Sequence, residues 1–230
     1  MGSFNRESIP FKYAQEALRQ RIVGVMIKPA GALCNLDCTY CYYLDKEKLY
    51  TGKNPRMDVR LLENFTQQYI AANSRADEIS FCWHGGEPLL AGLDFFKKAV
   101  SYQKKYNPGK EISNSLQTNG TLIDREWVDF FRENNFLIGV SIDGPQIIHD
   151  TYRRDKRGEG TFFRVLKGIE MMYKGGVKYN TLTTVNNVNQ DHEISFLMIH
   201  RACLQKFFPM SVVPTSKPKV RHCPDVYSPR

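Results

Sequence analysis

The sequence predicts an α/β fold with a barrel-like parallel sheet, and two observations carry that prediction. Strand-like and helix-like segments alternate five times, with crossovers long enough for parallel pairing. Every conspicuous motif follows a strand, and in parallel βα architectures the loops at the strand carboxyl ends form the active site. One end of one sheet would therefore collect a cysteine loop, His84–Pro88, Thr118–Thr121 and Ser141–Pro145.

The elements follow from local pattern. Residues 11–21 are expected to form a short leading helix, and Val23–Ile27 is an apolar run read as strand one. Met57–Ala72 carries Val59, Leu62, Phe65, Tyr69 and Ile70 at helical spacing, with Asp58 as its cap. Glu78–Trp83 is strand two. Leu93–Tyr106 is helical and ends at Asn107-Pro108-Gly109. Glu111–Gln117 is strand three, Asp124–Glu133 a helix capped by Asp124, and Phe136–Ile142 strand four. Thr161–Lys174 is a helix closed by Gly175 and Gly176, and Val177–Val185 is strand five. No repeat of shorter period is present.

The 230 residues are 42% hydrophobic and 24% charged, enough for one sizeable core. No stretch reaches the apolar length needed to span a bilayer. Residues 1–21 carry Arg6, Glu7, Lys12, Glu16, Arg19 and Arg21 without an apolar segment, so no signal peptide is expected and the reading is cytoplasmic. Six cysteines, three of them clustered, point to metal binding rather than a disulfide framework. The net charge of +8 includes basic runs at Arg153–Arg157 and Lys217–Arg221. Phosphate contacts need such clusters, but a solvated basic surface is the commoner explanation, and no nucleic-acid partner is expected.

Cys34, Cys38 and Cys41 lie at C-x3-C-x2-C spacing in a short loop after strand one. Three thiolates leave one corner of a four-iron cubane open to a non-protein ligand, whereas ordinary ferredoxin and zinc spacings fill every position with protein groups. A zinc site short of one ligand, or three unrelated core cysteines, are the alternatives. Gly85-Gly86-Glu87-Pro88 exposes backbone polar groups and lets the chain approach a ligand closely; a plain tight turn is the alternative. Gln117-Thr118-Asn119-Gly120-Thr121 offers donors and acceptors to a polar ligand, or simple Asn-Gly turn chemistry. Ser141 and Arg153 supply a hydroxyl and a planar fork suited to a carboxylate, against a strand-end cap and a surface charge. Tyr40 sits between the second and third cysteines, with packing at the barrel mouth as its alternative. Cys82 is expected as a buried thiol of apolar character.

The triplet with Tyr40, followed in order by Gly-Gly-Glu-Pro, Gln-Thr-Asn-Gly-Thr, Ser-Ile-Asp-Gly-Pro and Tyr152-Arg153, resembles the radical S-adenosylmethionine (SAM) superfamily. Within it, the chain is similar to the anaerobic sulfatase-maturating enzymes over residues 22–190. The resemblance implies a partial (β/α)6 TIM-like barrel. It implies a [4Fe-4S] cluster on Cys34, Cys38 and Cys41, with SAM chelating the open iron. Tyr40, Gly85, Gly86, Glu87, Ser141 and Arg153 would form the SAM site. His84 stands where the family usually has Gln. Reduction of SAM would give a 5′-deoxyadenosyl radical that abstracts hydrogen from Cβ of a Cys or Ser in a sulfatase peptide, leading to Cα-formylglycine. An electron donor such as flavodoxin or ferredoxin is implied.

The expected organisation is an extension over 1–21, a core over 22–200 and an irregular tail over 201–230. Five of the eleven prolines fall in the last 22 residues, from Pro209 to Pro229. Phe207–Val213 is the candidate sixth strand, weakened by Pro209. The family's catalytic carboxylate base and its auxiliary-cluster domain have no counterpart in this sequence. The catalytic base is therefore unassigned, and the expectation is a marginally stable core that binds its cluster without completing peptide oxidation. A non-catalytic cluster- or SAM-binding remnant, and a radical SAM enzyme acting on another peptide or on RNA, are the competing readings.

Overall fold

The computed structural model describes residues 23–43, 46–49 and 54–184. The leading helix over 11–21, the sixth strand over 207–213 and the irregular tail lie outside the described residues. Within them run β1 (Met26–Ile27), α1 (Val59–Ala72), β2 (Glu78–Trp83), α2 (Leu93–Tyr106), β3 (Glu111–Thr118), α3 (Arg125–Glu133), β4 (Leu137–Ser141), α4 (Gln146–Tyr152), α5 (Phe162–Lys174) and β5 (Lys178–Leu182), with short 3-10 turns at Lys46–Leu49 and Pro88–Ala91.

The five strands pair in sequence order, all parallel. Sequential order moves every crossover the same way, so the helices gather on one face. That is the arrangement of a barrel wall, not of a doubly wound sheet with a switch point. The side chains agree. Ile79, Phe81 and Trp83 of β2, Leu116 of β3, and Ile138 and Val140 of β4 are buried toward the helices. The opposite, concave face carries Ser80, Cys82, Ser113, Ser115, Gln117, Gly139 and Ser141, small or polar and only partly covered. Cys82 is thus half-buried on the concave face, a correction to its expected burial in the core.

Caps define the helix ends. Asp58 accepts from Leu61 N at 2.7 Å and Asp124 from Trp127 N at 3.0 Å, as their positions predict. Helix α3 ends in a left-handed Asn135 (φ 50°), after which Phe136 N donates to Phe131 O at 2.9 Å. This six-to-one closure takes Phe136 out of the predicted strand four and packs its ring 5.7 Å from that of Phe131. Gly176 (φ 71°) ends α5 the same way, with Val177 N bonded to Met172 O. Strand one is shorter than predicted because Val23 N turns to Asn73 Oδ1, at the end of α1, at 2.9 Å. Among the described residues no helix is long and apolar enough to cross a membrane.

Candidate functional site

The cysteine loop leaves β1 and is held by the ends of three strands. On the β2 side, Gly86 N donates to Gly31 O at 2.9 Å and Glu87 N to Leu33 O at 2.7 Å. The two backbones lie so close that a Cβ on Gly86 would stand 2.1 Å from Leu33 O and 2.6 Å from Ala32 O. Glycine is required there by the approach itself. On the β3 side, Asn119 Nδ2 donates to Asn35 Oδ1 at 2.9 Å and reaches Cys34 Sγ at 3.7 Å, while Asn35 Nδ2 donates to Thr121 Oγ1 at 2.9 Å. On the β4 side, Asp37 N bonds to Arg154 O at 2.8 Å and Thr39 N to Tyr152 O at 3.1 Å, with Leu36 bridging Asp155.

Held this way, Cys34, Cys38 and Cys41 line one cavity of about 50 Å³ with Ala32, Leu36, Asp37, Tyr43 and Lys156. Among the described residues no three His, Cys, Asp or Glu side chains are grouped to hold a single metal ion. Three cysteine thiolates on one cavity would leave one corner of a four-iron cubane open to a non-protein ligand. Burial pushes the Cys34 thiol up to about 12 and the Cys38 thiol up to about 11. As free thiols both are protonated at neutral pH, and a bound metal would displace those protons. Leu36 N and Asn119 Nδ2 already point at Cys34 Sγ, at 3.4 and 3.7 Å, as donors to a charged sulfur would. The donor set fits an iron–sulfur cluster.

Tyr40 joins this loop to the end of β4. Its hydroxyl donates to Asp143 Oδ2, and its ring lies 5.5 Å from the Arg153 guanidinium carbon. Arg153 is buried, not a surface charge, and its Nε donates to the same Asp143 oxygen at 2.8 Å. Asp143 Oδ1 accepts from Thr184 N at 3.0 Å. Ser141 stands on the concave face and accepts from Gln117 Nε2 at 3.0 Å. Gly85 N donates to His84 Nδ1 at 2.7 Å, so His84 closes its own turn.

Glu87 departs from expectation. Its carboxylate is fully buried and held by three donors: Oε1 accepts from Leu89 N and Thr118 Oγ1, and Oε2 from Asn119 N at 2.7 Å, near enough for its charge to act on the Cys34 thiol. Burial pushes this carboxyl up to about 7 against those three donors. Glu87 therefore positions Asn119 rather than facing a ligand. Sequence reasoning gave no role to Asp143, Asn35 or Tyr43. Their only local signal was position: Asp143 within Ser-Ile-Asp-Gly-Pro, Asn35 beside Cys34, and Tyr43 two residues past Cys41.

A parallel βα barrel wall whose strand-end loops clamp three cysteines around one cavity defines a class of iron–sulfur proteins. A family model described as the radical SAM superfamily matches residues 29–197, and the chain belongs to that superfamily, whose cofactors are a [4Fe-4S] cluster and SAM. It is 50% identical over 174 residues to a serine-type anaerobic sulfatase-maturating enzyme of Bacteroides thetaiotaomicron, covering 75% of this chain and 42% of that protein. A cysteine-type enzyme of Clostridium novyi is 40% identical over 175 residues, 74% of this chain and 46% of that one. A solved structure titled native anSMEcpe with bound AdoMet and Cp18Cys peptide superimposes with a TM-score of 0.70 at 38% identity, covering 77% of this chain and 47% of that chain. The chain thus spans less than half the length of these three relatives.

Proposed function

We propose that the chain is the radical SAM core of an anaerobic sulfatase-maturating enzyme. The observation that carries this reading is the cysteine cavity clamped by the three strand-end loops, together with 50% identity to a maturase of the serine type. Cys34, Cys38 and Cys41 would hold the cluster. When bound, cluster and SAM supply a one-electron reductive cleavage that yields a 5′-deoxyadenosyl radical for hydrogen abstraction.

The chain's own residues would bind and orient SAM. The Gly85 and Gly86 carbonyls would accept from the ammonium group of SAM. Arg153 spends Nε on Asp143, which fixes the plane of its guanidinium and leaves the Nη atoms for a carboxylate. Ser141 presents its hydroxyl on the concave face beside Gln117. Tyr40, tied to Asp143, would border the adenine.

The substrate would be a sulfatase-type peptide whose Cys or Ser is oxidised at Cβ to formylglycine. An electron donor such as flavodoxin or ferredoxin would reduce the cluster. Lys156, Arg157 and Arg164 border an open groove of about 380 Å³ that reaches Cys34; Asp155 lies among them and pairs with both arginines, leaving a net positive face for an acidic donor.

The test is anaerobic loading with iron and sulfide, then SAM and dithionite, with 5′-deoxyadenosine read by mass spectrometry. About four irons per chain and cleavage above the Cys34→Ala/Cys38→Ala/Cys41→Ala variant are expected. Iron retained by the triple variant, or cleavage no faster than in it, would overturn the reading.

A further inference from the structure

Tyr43 lies two residues past the last cysteine and is only 6% exposed. It lines the same cavity as the three cysteines. Its ring is fixed on several sides: Lys28 Nζ and Lys46 Nζ stand 5.0 and 5.4 Å from its centroid, and the Tyr42 ring packs at 4.2 Å. Yet its hydroxyl is the one buried side-chain nitrogen or oxygen among the described residues with no hydrogen-bond partner. The adjacent Tyr42 hydroxyl is close enough for its side-chain interaction with Tyr43 to raise the Tyr42 pKa, but the two groups do not reach hydrogen-bond geometry, and the Tyr43 hydroxyl keeps no partner.

A buried hydroxyl left unpaired destabilises a fold, and native structures hold few of them. Around this loop Asn35, Asn119, Thr121, Asp143 and Thr161 all have partners. An orphan at this cavity points to a partner the polypeptide does not supply. The candidate SAM contacts Gly85, Gly86, Ser141 and Arg153 do not line the cavity, so the missing acceptor lies on the cysteine side. Two ammonium groups beside the ring make the surroundings electropositive, which suits an anionic acceptor.

We propose that the Tyr43 hydroxyl donates a hydrogen bond to a sulfur of the cluster held by Cys34, Cys38 and Cys41. The inference rests on the cluster reading above. A donor to sulfur offsets the charge the cluster gains on reduction, so it favours the reduced form and slows loss of iron.

The test compares Tyr43→Phe and Tyr102→Phe with the parent chain, metal-free and loaded. Tyr102→Phe is the control, since Tyr102 lies on α2 and does not line the cavity. Tyr43→Phe removes one oxygen, so the metal-free variant should melt no lower than the parent. Loaded, it should release iron to a chelator about tenfold faster, and less of its cluster should be reduced at a fixed applied potential. The exchangeable deuteron coupling to the reduced cluster should disappear. Tyr102→Phe should change neither iron release nor the reduced fraction. Iron release and reduced fraction both within twofold of the parent would overturn the proposal. So would a metal-free Tyr43→Phe that melts well below the parent or fails to fold, because the hydroxyl would then have a partner in the protein. A parent chain that takes up no iron would overturn this proposal and the cluster reading together. A loaded parent with an indifferent Tyr43→Phe would sink this proposal alone.

Discussion

Arg153 Nε donates to Asp143 Oδ2 at 2.8 Å, with the guanidinium 10% and the carboxylate 0% exposed. The Tyr40 hydroxyl donates to the same oxygen, so one buried carboxylate ties the loop between Cys38 and Cys41 to the end of β4. Removing one partner of such a pair leaves a buried charge uncompensated and costs about 3–5 kcal/mol. Asp143→Asn should lower the unfolding free energy of the metal-free chain by about 3 kcal/mol in urea titrations. The double variant Asp143→Asn/Arg153→Gln should lose much less than the sum of the two single losses. Simple additivity would show that the pair contributes no coupling.

Two buried groups give opposing pH dependences. His149 accepts from Asp143 N at its Nδ1 and pairs with Thr161 Oγ1 through Nε2, which fixes the neutral ring. Burial, then the Arg153 charge, push its pKa down to about 4, while Asp143 and Asp150 oppose the shift. Between about 6.5 and 4 the unfolded chain binds more protons at this residue, so its contribution to stability falls as pH falls. Glu87 is raised to about 7 from an ordinary value of 4.5. Between those values the folded chain binds more protons, so its contribution falls as pH rises. From about pH 4.5 to 6.5 the two slopes, each up to about 1.4 kcal/mol per unit, offset one another. His149→Gln should uncover a stability that declines with rising pH, and Glu87→Gln one that increases. Parallel profiles for the two variants would contradict both assignments.

The extent to which the fold is legible depends on whether the signal is local. Ile79, Phe81 and Trp83 alternate, and Asn107-Pro108-Gly109 stops a helix, so β2 and α2 take their predicted bounds. The caps Asp58 and Asp124 are three residues from the amides they bind. Helix α4 is not legible: it has seven residues, begins after Pro145 and buries only Ile148 and His149. Arg153 pairs with Asp143 across ten residues, and Glu87 reaches Asn119 across 32. No periodicity encodes such contacts. The cysteine triplet was readable because its chemistry is fixed by spacing. The orphaned Tyr43 hydroxyl appears only once every neighbour is in place.

Asp150 is a cap that sequence reading does not identify. Thr161 precedes α5, but the Thr161 and Phe162 amides both donate to Asp150 Oδ1 of α4, at 2.8 and 3.0 Å. A Cβ on Gly160 would stand 2.4 Å from Asp150 Oδ2, so the chain passes directly over the carboxylate. Asp150→Ala should cost about 1–2 kcal/mol of stability, as lost caps do. It should also loosen residues 153–161, read as faster amide exchange at Asp155 and Thr161. Unchanged exchange there would remove Asp150 from the support of Arg153.

The last prediction separates the approach of two backbones from chain flexibility. Gly86 meets the cysteine loop at Leu33 O and Ala32 O, both backbone atoms that cannot rotate away. Gly24, just before β1, has nothing within 4 Å of an added Cβ and no left-handed φ. Alanine at either position reduces unfolded-chain entropy similarly, so that effect cancels in the comparison. Gly86→Ala must push the 31–34 segment off the β2 loop and break the Gly86-to-Gly31 and Glu87-to-Leu33 hydrogen bonds. Cys34 moves with that segment while Cys38 and Cys41 stay anchored through Tyr40. We expect Gly86→Ala to retain well under half of the parent's iron after desalting, with a lowered melting temperature, and Gly24→Ala to match the parent. Equal iron in the two variants would mean that the cysteine loop tolerates displacement and that the Gly86 contact does not set its geometry.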